Sequence, residues 1–182
     1  EGSRRHSVAS QDVGWGGRQG PNGPHPEVPA QRASKDAPVE TYPNARRAEW
    51  PEAEYIVGNP PFIGGKDIRA RLGSGYAEAL WAAHPQMNES ADIVMYWWDR
   101  AAELLARKDT PLRRFGLVTT NSISQVFQRR VMERHLTAKR PVSLVFAIPD
   151  HPWTKATKDS AAVRIAMTVC EAGKVDGVLH EV

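Results

Sequence analysis

The ten residues Ile56-Val57-Gly58-Asn59-Pro60-Pro61-Phe62-Ile63-Gly64-Gly65 bring together a side-chain amide, two prolines and an aromatic ring behind a short apolar run. An exocyclic amine on an aromatic base is a poor nucleophile, because its lone pair is delocalised into the ring. Two hydrogen-bond acceptors placed at the amine hydrogens would localise that pair towards a methyl donor. The Asn59 side-chain carbonyl offers one acceptor and the Pro60 backbone carbonyl the other, held still because proline fixes φ and has no N–H to donate. Phe62 supplies a face on which a base can stack. Acceptors of this kind stabilise charge developing on the amine, an effect worth about 10²- to 10³-fold in rate per group, and neither a cysteine nor a metal is needed.

The plainer reading of Asn59, Pro60 and Pro61 is a rigid turn leaving a strand, since all three are ordinary turn residues. An Asn-Pro-Pro-aromatic string arises by chance in about one chain in a thousand of this size, and a preceding apolar strand makes chance rarer. Gly64-Gly65-Lys66 does not make a phosphate loop: the pattern would need a glycine where Pro60 stands and Ser or Thr where Asp67 stands. Lys66 is left as a candidate DNA-phosphate contact or a solvated lysine on a hinge. Seven basic residues, Arg129, Arg130, Arg134, Lys139, Arg140, Lys155 and Lys158, stand against Glu133 and Asp150. They would track a nucleic-acid backbone or form a solvated face. Lys155 and Lys158 are the better DNA-binding candidates, since they share a loop with Trp153. His151 has no partner in the sequence that would make it more than structural.

These residues need a frame. Residues 55–57 suit a buried strand of a parallel sheet, delivering Asn59 to its carboxyl end, where open α/β sheets bind ligands. Residues 67–83 read as one or two short helices broken around Gly73-Ser74-Gly75. Residues 92–106 place Val94, Trp97, Trp98, Ala101, Leu104 and Leu105 near helical spacing with Asp99, Arg100 and Glu103 between them, an amphipathic helix whose tryptophans belong to the core. Residues 115–119 form a second buried strand, and Thr120-Asn121-Ser122 can cap a helix over 123–137. Strands follow at 141–148 and 161–169, joined by a loop over 149–160. Alternation of strand and helix predicts a parallel α/β layer. The last connection has no helix-sized pattern, which favours antiparallel pairing and a sheet mixed at that edge.

At 182 residues, with 41% apolar and 25% charged residues, the chain is that of a globular protein with one core of ordinary size, and no apolar run approaches the roughly 18 residues of a membrane span. Residues 1–41 are rich in Gly, Pro, Arg and Ser and are expected to be disordered. The first residue and the basic, apolar-poor start read neither as a signal peptide nor as a natural beginning, so a partial chain is expected. The net charge of +3 and pI near 9.2 agree with a polyanionic partner. Cys170 is the only cysteine, which excludes an intrachain disulfide and fits a reducing cytoplasm. It lies in an apolar run as a buried, inert thiol.

The Asn59-Pro60-Pro61-Phe62 motif resembles that of the γ-type amino-group methyltransferases, in which it marks N6-adenine chemistry on DNA. The longer string NPPFIGGK, the helix DIVMYWWDRAAELL, the segment RFGLVTTNSIS and the segment VSLVFAIPDHPW look like the methyltransferase part of large single-chain restriction-modification enzymes, over roughly residues 42–173. This resemblance implies a partial Rossmann-like sheet with a reversed, antiparallel final strand, S-adenosylmethionine as cofactor, double-stranded DNA as partner and a flipped-base mechanism. It implies that Asn59, Pro60, Pro61 and Phe62 hold the target base. Trp153 stands where the family carries a phenylalanine or tyrosine that packs on the flipped adenine. The family's cofactor half, with a Gly-rich turn after a strand, is not found upstream. Gly14, Gly16 and Gly17 lack the flanking strand and helix that such a turn requires. The expectation is the C-terminal half of a catalytic domain at 42–173, a tail at 174–182, unknown cofactor-binding residues and a separate N-terminal half as partner. The alternatives are a catalytically incomplete remnant, or the same chemistry on RNA or a protein glutamine.

Overall fold

The computed structural model describes residues 40–153 and 163–181. Lys155, Lys158, the glycine-rich start and most of the segment expected to be disordered lie outside the described residues. Five strands, β1 (Tyr55–Gly58), β2 (Arg114–Thr120), β3 (Val142–Pro152), β4 (Arg164–Ala172) and β5 (Val178–Leu179), form one sheet in the order β1-β2-β4-β3-β5. Among the described residues four α-helices accompany them: α1 (Ile68–Leu72), α2 (Ser74–Ala83), α3 (Val94–Leu105) and α4 (Val126–Leu136). The pairs β1–β2 and β3–β5 are parallel, whereas β4 runs against both β2 and β3.

The expected antiparallel pairing of the last two long strands is present, but the reversed strand does not lie at the sheet edge. β4 is inserted between β2 and β3, with Phe115 opposite Cys170 and Leu144 opposite the same Cys170 on its other side. β2 and β3 therefore point the same way without touching. The tail expected over 174–182 contributes β5, and the N–H of His180 directly after it donates to the Ala147 carbonyl (2.9 Å). β3 runs on to Pro152 through two register irregularities, so residues 149–152 continue the strand and are not a loop.

Alternation decides what each strand buries. In β2, Phe115, Leu117 and Thr119 are buried, and in β4 so are Ala166, Thr168 and Cys170. α3 packs on that face. Trp98, fully buried, meets Phe115 edge-on (5.4 Å between centroids) and its indole N–H donates to the Thr168 hydroxyl (3.4 Å). Ile63, Leu80, Trp81 and Trp97 are partly buried and pack against the same cluster. Gly73, at φ 86°, breaks the helical pattern between α1 and α2 as the glycines suggested.

Asp99 corrects the amphipathic reading of α3: it is fully buried, not solvated. Its carboxylate accepts from His135 Nε2 (2.6 Å), Arg134 and Gln86 (3.1 Å), with Arg47 at 3.6 Å. Burial alone would push its pKa up, but the His135 hydrogen bond and the Arg134 charge outweigh that and hold it below the usual carboxylate range. Arg134 is thereby consumed within the fold and leaves the set of residues expected to track a nucleic-acid backbone. β1 is also corrected: it is an edge strand, with Tyr55 and Val57 on the outside and Val57 86% exposed.

Candidate nucleic-acid base site

β1 and β3 point the same way, so Asn59, directly after β1, and Trp153, directly after β3, emerge at the same end of the sheet. Three strand spacings of about 4.8 Å separate them, roughly 14 Å along the sheet. The exits lying between belong to β2, which delivers Asn121 and Ser122, while β4 enters there with Arg164.

Within the loop Pro60 is buried and Phe62 half-buried, while Asn59 and Pro61 are exposed. No described residue hydrogen-bonds the Asn59 side-chain amide, so its carbonyl is available to a ligand. The far end of the loop is fastened. Ile93 N–H donates to the Ile63 carbonyl (2.9 Å), and Gly65 N–H to one Asp92 oxygen (3.1 Å). A Cβ on Gly65 would collide with the Ser90 carbonyl, so only glycine passes there. The other Asp92 oxygen accepts from the Ser122 hydroxyl (2.6 Å), which in turn contacts the Thr120 hydroxyl. On the opposite flank Asn121 donates its amide to Asp150 (3.4 Å), and Asp150 accepts from Arg164 (2.5 Å). The Arg164 hydrogen bond, partly opposed by slight desolvation and supported by its charge, holds the Asp150 carboxyl below the usual carboxylate range.

Thr120-Asn121-Ser122 therefore does not cap a helix. The residues Asn121–Ser124 form a 3-10 turn, and α4 starts at Val126 after Gln125, without a side-chain cap. Asp92, read in sequence only as the first residue of the 92–106 helix, lies before α3 (Val94–Leu105). Its carboxylate reaches across to two segments 27 and 30 residues away. An acidic residue immediately before an apolar-periodic run was the available signal, but the partners were not visible.

Lys66 is exposed in the 3-10 turn Gly65–Asp67. Trp153 is 44% exposed, and its backbone N–H donates to the Val163 carbonyl (2.9 Å). Trp98 is in the core and Trp97 is packed against it, as their spacing required. His151 is half-buried and pairs in register with Ile165. Burial raises the Cys170 thiol pKa far above its ordinary value, which keeps it protonated. A cavity of about 350 Å³ lies elsewhere, among Tyr42, Trp50, Tyr76, His84 and Trp97, and contains none of the Asn59 loop. Among the described residues no group of three or more His, Cys, Asp or Glu is arranged to hold a metal.

A mixed sheet in which one reversed strand separates two forward ones, with helices packed on it, is the partial fold of a methyltransferase. The chain belongs to the family described as MmeI, DNA-methyltransferase domain, whose profile matches residues 27–180. Among solved structures it is similar to the Type IIL restriction-modification enzyme MmeI in complex with DNA. The sequence identity is 22% and the TM-score 0.53. The alignment covers 70% of this chain and 17% of that one, so the chain spans about a sixth of its structural relative. Among curated proteins nothing matches.

Proposed function

We propose that this chain supplies the base-binding half of an S-adenosylmethionine-dependent adenine-N6 DNA methyltransferase of a restriction-modification system, working in the cytoplasm. The carrying observation is the Asn59-Pro60-Pro61-Phe62 loop at the carboxyl end of β1, with a side-chain amide at Asn59 that no described residue hydrogen-bonds and an anchored exit at Gly65.

In this reading the adenine leaves the duplex and its amino group donates one N–H to the Asn59 side-chain carbonyl and the other to the Pro60 carbonyl. The nitrogen lone pair, no longer shared with the ring, points outward. S-adenosylmethionine, when bound, supplies an electrophilic methyl group. Transfer would break the donor's S–CH3 bond, the electron pair staying on sulfur, and the adenine nitrogen would release one proton to solvent. Phe62 and Trp153 provide faces for the extruded ring, and Lys66, Lys155 and Lys158 are assigned to phosphates.

The described residues do not fit the cofactor. Residues 40–54 form no strand, and no glycine-rich strand-to-helix turn accompanies β1. The free edge of β1 and the sheet face opposite α3 favour a separate cofactor-binding half. On that face Val57 is exposed, and Val118, Met167, Val169 and Ile148 are half-buried under no described helix. An open edge accepts a further strand, and an apolar face calls for a further layer. The same observation favours the second reading, that the chain alone is catalytically incomplete.

The test is mass-spectrometric detection of N6-methyladenine in duplex DNA incubated with the chain alone, then with a candidate cofactor-binding half, then with Asn59→Ala in the active combination. Methylation that Asn59→Ala reduces at least about a hundredfold, with DNA binding kept, is expected. Undiminished turnover would remove Asn59 from the chemistry. Methyl transfer to RNA or to a protein glutamine, with none to DNA, would move the substrate.

A further inference from the structure

We propose that Asp92 is a positioning residue for methyl transfer. Its carboxylate fastens the exit of the Asn59 loop to the end of β2 and so fixes where the amine-binding carbonyls stand. The inference rests on the catalytic reading of that loop.

Three observations converge on Asp92. First, its two oxygens are divided between two structures: one takes the Gly65 N–H (3.1 Å), the other the Ser122 hydroxyl (2.6 Å). Second, the next residue repeats the grip, since Ile93 N–H donates to the Ile63 carbonyl (2.9 Å), so residues 92 and 93 hold the loop at two points. Third, neither hydrogen bond on the carboxylate comes from the helix that follows: α3 begins at Val94 after Ile93, and the two oxygens go to Gly65 and Ser122 instead. A residue whose only role was to start α3 would aim its oxygens at the first helical N–H groups.

The geometry explains why a carboxylate suits this place. Both partners donate, and an ionised carboxylate has acceptor sites on both oxygens. Asn59 and Pro60 precede Gly65 by only a few residues, and two of those residues are prolines with fixed φ, so displacement of the exit is transmitted back to the amine-binding end instead of being absorbed. Misplacement by about 1 Å can cost on the order of 10²-fold in rate. Ser122 belongs to the same turn as Asn121, which is tied through Asp150 to the strand that carries Trp153. Asp92 therefore also sets the Asn59 loop against the flank that bears Trp153.

The experiment compares Asp92→Ala, Asp92→Asn, Ser122→Ala and Asn59→Ala in whichever form of the protein transfers methyl groups, alone or with its cofactor-binding half. Single-turnover rates per folded molecule are measured alongside DNA affinity and exchange of the Gly65 amide by NMR. Asp92→Ala is expected to slow transfer about ten- to hundredfold with DNA affinity changed less than about threefold, and to speed Gly65 exchange. Asp92→Asn keeps an acceptor for Gly65 and turns a donor towards Ser122, so it should recover most of the rate; Ser122→Ala should lose part of it. A rate within about twofold of the parent in Asp92→Ala, while Asn59→Ala is dead, overturns the positioning role and leaves the catalytic reading standing. An active Asn59→Ala sinks that reading instead, and the positioning role with it. Should Asp92→Ala not fold, Asp92→Asn and Ser122→Ala decide: Gly65 exchange unchanged and full rate in Ser122→Ala overturns the proposal.

Discussion

Trp153 keeps 44% of its surface in water although it sits directly after a strand whose other aromatic, Phe146, is half-buried against His180. An indole left this open at the ligand end of a sheet suits a stacking partner. Extruding a base costs a few kcal/mol, and one aromatic face can return about 1 to 3 kcal/mol of that. Trp153→Ala should therefore reduce the fluorescence rise of 2-aminopurine at the target position in the methylating protein. A Trp153 that merely anchors its segment predicts lower thermal stability with an unchanged rise. A second residue-scale prediction concerns His84. Its pKa is lowered, first by burial and then by the nearby Arg47 charge, with Asp99 and Glu103 opposing. The fold binds the proton less well than the unfolded chain does, so the stabilisation is present above the ordinary histidine pKa and is lost as pH falls from there towards the folded value. Melting temperature should thus drop on acidification below about pH 6.5, and His84→Gln should flatten that part of the profile.

At the scale of elements, α3 joins the sheet to α4 through two neighbouring residues of opposite kind, Trp98 against Phe115 and Thr168, and Asp99 against His135 and Arg134. Removing the indole should cost about 3 to 5 kcal/mol, measurable by urea unfolding of Trp98→Ala. Asp99→Ala should also destabilise, because it leaves His135 and Arg134 without their acceptor. Since the folded Asp99 pKa is depressed, its contribution is present above about pH 4 and fades as pH falls through the lower folded value. The tryptophans were legible in the sequence because apolar spacing reports which residues share a helix face. Asp99 was not, because spacing also assigned its charge to solvent, and its partners Gln86, Arg134 and His135 lie in other elements. The strands were legible one by one from their apolar runs, but not their order. Pairing is a property of two segments, and nothing within residues 164–172 says that they enter between β2 and β3. The Asn59 loop could be read because its chemistry is contiguous, whereas the grip of Asp92 on Gly65 and Ser122 spans 27 and 30 residues.

On the scale of the whole molecule, the described residues finish the sheet on one face and leave the other face and the β1 edge uncovered. Phe115, Leu117, Ala166 and Cys170 are sealed beneath α3, while across the sheet Val57, Val118, Met167, Val169 and Ile148 keep contact with solvent and β1 offers an unpaired edge. Each 100 Å² of apolar surface withdrawn from water is worth about 2.5 kcal/mol, and a strand added beside β1 would satisfy its free N–H and C=O groups at the same time. Residues 40–54, by contrast, form no strand and glycine-rich turn before β1 of the kind that holds the methionine and ribose of S-adenosylmethionine. Calorimetric titration of the 182-residue chain with S-adenosylmethionine should therefore give no heat of binding at micromolar concentrations. Addition of the matching cofactor-binding half should produce a complex that binds it and that melts higher than either part, the increment growing with ligand concentration as RT ln(1 + [L]/Kd). Val57→Lys, which places a charge on the outward side of β1 without touching the Phe115 core, should weaken that assembly and leave the melting temperature of the chain alone nearly unchanged. Micromolar binding by the chain by itself would mean that it carries, or rebuilds by self-association, the cofactor site assigned here to a separate half; assembly indifferent to Val57→Lys would place the contact away from β1.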